Sequence, residues 1–395
     1  MVKPTNKTSG PLSGFRLIEI AGIGPTQLTG MLLADMGAEI FRIDRLTAVD
    51  LGIAMPEEFN LMNRSRGSAA IDLKNQQGRD VVLRLCEQAD ALFEGFRPGV
   101  MERLGLGPDE CMSRNPALVY GRMTGWGQEG PLANTVGHDP NYISISGVLN
   151  MIGEENGPPI YPLNMVGDFG GGALYLAMGL LAALLETSKS GKGQVVDAAM
   201  IDGVASMLTY FYGMQAAGVW KDQRGTNILD GGAHFARPYK TKDNLYVVIA
   251  PLESRFYNEF LDKLGIDDPD LRQHQMDKER WSEFQQKLQD IFITKTRDEW
   301  CEVFADSDAC FSPVLSLDEA TKHPHAIARN SYVEVEGITQ PAPAPRFERT
   351  PGKVQKPPAQ RGEHTNSLLE DWGFSRKEIN ELLKKGVISQ HSEDQ

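Results

Sequence analysis

Between Gly14 and Asp44 the chain reads GFRLIEIAGIGPTQLTGMLLADMGAEIFRID, and no other stretch limits the possible folds as tightly. Apolar residues crowd Arg16 to Ile20, a Gly-Pro turn follows, a helical period covers about Gln27 to Met36, and a second apolar run spans Glu39 to Ile43. Two such strands separated by one helix read as a βαβ unit, whose strands lie parallel. The alternation continues through GSAAIDL (67–73), the helical GRDVVLRLCEQA (78–89), ALFEGF (91–96) and ALVYGRMTG (117–125). The predicted fold class is therefore α/β, with a doubly wound, Rossmann-like parallel sheet in residues 1–200.

Beyond Asp168 a long apolar helix is expected in DFGGGALYLAMGLLAALLE, then a strand and a linking helix that runs through 201–231. Residues 232–317 combine the apolar strand NLYVVIA with charge-rich amphipathic helices, which predicts a second, smaller α/β domain, and 318–330 reads as a linker. The proline-rich TQPAPAPRFERTPGKVQKPPAQ cannot be helical and reads as an extended strap before a last helix in SRKEINELLKKG.

Composition excludes some functions. The formal net charge of -13 repels phosphate backbones, and no Lys/Arg cluster interleaved with aromatics offsets it, so no nucleic-acid partner is expected. Cys86, Cys111, Cys301 and Cys310 form no CxxC pair or disulfide framework, which points to a reducing compartment. The opening MVKPTNKTSGPLSG has no apolar signal segment, the run ALYLAMGLLAALLE is too short to span a bilayer, and the terminal SEDQ is not a peroxisomal tripeptide. A cytoplasmic protein with no membrane partner is the expectation.

Several residues carry possible chemistry. In AGIGPTQLTG, Gly22 and Gly24 follow a strand, but Gln27 stands where a dinucleotide fingerprint needs glycine and Pro25 removes an amide, so the turn argues against NAD. Arg45, Lys74, Arg97 and Arg103 cluster at the predicted ends of successive strands, where they either bind a phosphorylated nucleotide or form ordinary surface ion pairs. His138, in TVGHDPNYISISG, is either a proton-transfer group or a turn-closing polar residue. Asp168 precedes three glycines and a helix, as an N-cap or as an acid/base beside an oxyanion-binding helix start. Glu253 ends an apolar strand, where an exposed charge is the default and a functional loop the alternative. Met200, Met207 and Met214 recur at seven-residue spacing, as core or as an adaptable apolar surface. The HPH of His323 and His325 lacks partner ligands, so no metal is expected.

The stretches GPLSGFRLIEIAGIGPTQLTGMLLADMGAEIFRIDR, EGFRPGVMERLGLG, RMTGWGQEGP, GHDPNYISISG, LNMVGDFGGGAL and GKGQVVDAAMIDG, in this order, resemble the family III CoA-transferases. The presence of His138 as well as Asp168, followed by APLESRFY, resembles the branch of that family that racemises 2-methylacyl thioesters. The resemblance implies an interlocked homodimer whose large domain (1–200 and 331–395) is rebuilt from both ends of the chain. It also implies an active site between that domain and the partner's small domain. It places coenzyme A, part of an acyl-CoA substrate rather than a separate cofactor, on Arg45, Lys74, Arg97 and Arg103, with Ile71 and Phe96 beside the adenine or ribose. Gly95 stands where the transferases often carry Asn. His138 with Glu253 resembles one acid/base unit and Asp168 the other.

Inverting an α-carbon requires removing a proton on one face and returning one on the other, which two opposed bases supply without metal or flavin. The alternatives are a CoA-transferase that forms an aspartyl-CoA anhydride on Asp168 and a non-catalytic CoA-binding protein.

Overall fold

The computed structural model describes residues 8–48, 53 and 55–391. Strands fall at Arg16–Ile20 (β1), Glu39–Asp44 (β2), Gly67–Ile71 (β3), Ala91–Glu94 (β4), Val119–Thr124 (β5) and Val195–Ala199 (β6). They pair in parallel in the order β3-β2-β1-β4-β5-β6, the doubly wound arrangement. The C-terminal strand Ile388–Ser389 adds antiparallel to β3. Strand order reverses between β1 and β4, and it is outside the carboxyl ends of strands at such a reversal that open α/β sheets bind ligands.

The pleat sends successive residues to opposite faces. Ile18, Ile20, Phe41 and Ile43 meet Val82, Leu85 and the C-terminal Leu369 and Trp372 on one side. Leu17 and Ile40 meet Leu33, Leu176 and Leu180 on the other. Helices therefore cover both faces, and β3 and β5 are buried along their whole length. The first helix is Pro25–Asp35, starting two residues earlier than its apolar period suggests because Pro25 occupies the first helical position, where its missing N–H costs nothing.

Close packing divides the chain into two units, one of Met1–Ser146, Leu163–Met207 and Asn330–Gln395, the other of Gly147–Pro162 and Leu208–Arg329. These bounds differ from those read in the sequence. Residues 147–162 join the second unit because Arg224 donates to Gly157 O at 2.9 and 3.1 Å and to Asn150 O and Oδ1 at 3.1 Å. Helix Met200–Met207 stays with the first because Gly203 is pressed on the backbone of Gly171. The stretch expected as a linker before residue 330 holds helices Leu317–Lys322 and Pro324–Ala328.

In the first unit the C-terminal segment is structural: Trp372 meets Phe41 edge to face at 5.4 Å and donates its indole N–H to Glu39 at 2.7 Å. The proline-rich strap is extended, and Arg64 grips its start at Pro341 O. The second unit has three antiparallel strands, Arg237–Lys240 (β7), Tyr246–Ile249 (β8) and Phe311–Pro313 (β9), over an aromatic core of Phe235, Tyr257, Phe260, Phe284, Phe292 and Trp300.

One helical run, Met165–Ser190, is longer than the apolar stretch read from the sequence and is long and apolar enough to cross a bilayer. It covers the sheet: Leu176 and Leu180 are fully buried against Gly121 of β5. Leu174, Met178 and Leu185 on the same helix are more than half exposed.

Candidate active site

The turn after β1 makes the floor of the site. Gly24 sits at φ +59, in the left-handed region that glycine adopts without strain, and a side chain there would come within 3.1 Å of Asp168 Oδ2. The glycine-rich turn that fails as a dinucleotide fingerprint thus gives room to a carboxylate. Asp168 lies inside a π-helical stretch, Met165–Ala173, whose N-cap is Asn164. The N-cap role weighed for Asp168 belongs to that residue instead. Stretches of π-helix cost regular hydrogen bonding and are frequent at functional sites.

Asp168 is held from two sides. Asn164 Nδ2 donates to its Oδ2 at 3.2 Å, and its backbone N–H donates to Asp139 Oδ2 at 2.7 Å. The Asp168 amide is therefore occupied by a protein partner and does not serve as the oxyanion donor that its helix start suggests. Burial raises the Asp168 pKa above the usual carboxylate range; the Asn164 hydrogen bond opposes this, the Asp139 charge adds to it, and His138 opposes it.

His138 is the exposed N-cap of helix Asp139–Ile145, with its backbone N–H donated to Asn141 Oδ1 at 3.0 Å. The next residue, Asp139, is buried and turns inward to Asp168. One short helix start therefore carries the histidine outward and anchors the aspartate. Tyr142 packs edge to face on Trp126 at 4.8 Å and donates its hydroxyl to Gly137 O, bracing the approach to His138. Glu253 belongs to the second unit, where it is the exposed N-cap of helix Ser254–Leu264.

The cations follow the carboxyl ends of β2, β3 and β4. Arg45 and Lys74 are exposed, and the Arg45 guanidinium lies 5.9 Å from the Phe96 ring centroid. Arg97 is exposed in the loop after β4, and its charge reaches Tyr142. Arg103 ends the helix Val100–Arg103 and folds back toward Gly99. Ile71 is only 1% exposed and its side chain packs in the core, so it offers little surface to an adenine.

Asp139, Asn164 and Glu94 were not singled out in the sequence. Glu94 leaves a faint signal, as the acidic end of the otherwise apolar strand ALFE. Among the described residues, no group of three or more His, Cys, Asp or Glu is placed to hold a metal ion. The arrangement offers a half-buried carboxyl whose pKa is raised by burial, an imidazole on the helix start that anchors it, and exposed cations for an anionic ligand.

A doubly wound sheet with an acid at its switch point and cations along the same edge agrees with the comparison to known families: the chain belongs to CoA-transferase family III, whose model matches residues 12–365. It is 42% identical over 382 residues to the alpha-methylacyl-CoA racemase of Mus musculus, covering 95% of this chain and 97% of that one. To the alpha-methylacyl-CoA racemase of Homo sapiens it is 38% identical over 380 residues, with 95% and 97% covered. The crystal structure of a CAIB/BAIF family protein from Brucella suis superposes with a TM-score of 0.79 at 22% identity, over 92% of this chain and 100% of that chain, and so shares its fold.

Proposed function

We propose that the protein inverts the α-carbon of a 2-methylacyl-CoA thioester by proton transfer through an enolate. The observation that carries this reading is the hydrogen bond from the Asp168 amide to Asp139, which ties the backbone of Asp168 to the helix start that bears His138. The identity of 42% and 38% to two racemases supports it.

His138 removes the α-proton on one face, and Asp168, whose pKa burial raises above the usual carboxylate range, returns one on the other. For the opposite enantiomer Asp168 is the base and His138 the acid. Glu253 steadies the imidazolium, and the thioester's coenzyme A lies along Arg45, Lys74, Phe96, Arg97 and Arg103, meeting little of the buried Ile71. Only protons move, so the reaction needs no cofactor beyond the CoA that the substrate carries.

The active species is a homodimer, in which a small domain supplies Glu253 to the partner's site. The exposed apolar face of Leu174, Met178 and Leu185 supports a protein partner on the sheet-covering helix. Four unpaired cysteines support a cytoplasmic location.

The test is exchange of the α-proton with deuterated solvent, in the absence of any acceptor acid. Racemisation with deuterium incorporation is expected. Acyl transfer that requires an acceptor, with no exchange, would replace this reading by aspartyl-anhydride chemistry on Asp168. Sedimentation of a fully active monomer would overturn the dimer.

A further inference from the structure

Glu94 ends β4 where the loop carrying Phe96 and Arg97 begins, and it is 1% exposed. One carboxylate oxygen accepts the Phe96 backbone N–H at 2.6 Å. The other is ion-paired at 3.4 Å with Nε of Arg122 on the neighbouring β5, and Arg122 reaches Glu102 in helix Val100–Arg103 at 2.7 Å. Three charged side chains thus connect the strand end, the loop and the helix that ends in Arg103. Burying a carboxylate is costly, and an apolar turn would close the same loop without that cost. The proton chemistry of His138 and Asp168 gives Glu94 no part.

We propose that Glu94 is a positioning residue for coenzyme A: through the Phe96 amide and the Arg122–Glu102 pair it holds the loop and helix in the arrangement that presents Phe96, Arg97 and Arg103 to the nucleotide. This rests on the reading above that the substrate carries coenzyme A.

The hold depends on ionisation. Burial pushes the Glu94 carboxyl up to about 7, the Phe96 N–H and Arg122 oppose this, and Glu102 adds to it. The charged or titratable groups facing it are Arg122 and Tyr120 from β5 and Glu102 from the helix, with the Phe96 N–H from its own loop. Above neutrality the carboxylate grips Arg122; below it, the neutral acid does so weakly.

The experiment is calorimetric titration of coenzyme A into the full chain and its Glu94→Gln variant at about pH 6, 7 and 8, with folding checked by circular dichroism. Glutamine keeps the size and an acceptor for Phe96 but not the charge. The ratio of variant to parent Kd is expected to be about tenfold near pH 8, one charge-assisted contact, and to shrink toward one near pH 6. The ratio cancels the titration of the ligand's phosphate. With an acyl-CoA substrate, KM should rise more than kcat falls. A folded variant with the parent's Kd at every pH overturns the proposal, and so does a ratio that does not change with pH. A parent that fails to bind coenzyme A overturns the functional reading instead. Should Glu94→Gln not fold, Glu102→Gln loosens only the exposed end of the relay; a few-fold higher Kd is expected, and an unchanged one overturns the proposal.

Discussion

The two ends of the site are built on opposite principles. Around Asp168, though not at the exposed His138, the groups are half-buried or buried and already engaged: its carboxyl with Asn164, its amide with Asp139, its flank with Gly24. Along the cation-bearing edge Arg45, Lys74, Arg97 and Arg103 are exposed. A reacting group must be placed to a fraction of an ångström before substrate arrives, and burial shifts its pKa toward the working range. A phosphate-binding group works at longer reach and needs charge more than placement, so it can stay in water until the ligand desolvates it. Damage at the first end should therefore appear in kcat and damage at the second in KM.

The largest expected effect is loss of either base. Asp168→Ala and His138→Ala should each lower racemisation by about 10²–10⁴-fold. Each should keep α-proton exchange with one enantiomer only, and with opposite preference, as deuterium incorporation followed by NMR would record. If His138→Ala racemises at near the parent rate, the histidine is structural and the contrast between the two ends loses half its basis.

At the exposed end, Arg45→Ala or Arg103→Ala should raise KM about tenfold, the lower range for a contact to a charged group, with little change in kcat. A fall in kcat at constant KM would show that the cation-bearing edge is placed as rigidly as the reacting end. Steady-state kinetics decides between them.

Gly24→Ala probes the same contrast from the buried side. Its methyl would stand 3.1 Å from Asp168 Oδ2 on a backbone at φ +59, so a stability cost of about 1 kcal/mol and a several-fold lower kcat are expected, with KM unchanged. Thermal unfolding and kinetics measured together separate strain from displacement of the carboxylate.

The smallest effect is expected of Asp139→Asn, whose side-chain oxygen can still accept the Asp168 N–H. Removing the charge that raises the Asp168 pKa should lower that pKa, so the limb of the pH–rate profile that reports Asp168 should move to lower pH. A shift to higher pH would mean that the lost hydrogen-bond strength outweighs the lost charge.

Much of the first unit was legible in the chain. Runs such as RLIEI and EIFRID announce strands because side chains alternate every residue, and the helix between them announces a parallel crossover. His138, Asp168 and the four cations were also visible, because their residue types stand beside turns and strand ends. The partners that hold Asp168 were not: Asp139 and Asn164 look like ordinary helix-start residues, and only the π-helical turn brings their atoms to it. Ile71 is ambiguous in the chain, since an apolar residue at a strand end reads equally well as a ligand contact or as core, and its side chain lies in the core with Val82 and Ile388.

The class of fold, the order of its first elements and the kinds of group available for chemistry were thus set in the sequence, because these follow from local periodicity and residue type. It took the folded chain to show that residues 147–162 leave the first unit, that Trp372 closes a core begun at Phe41, that Gly24 faces Asp168, and that Glu94 lies under the cation-bearing loop. Most of these depend on contacts between residues far apart in the chain, set by strand order and side-chain packing, which no local pattern encodes.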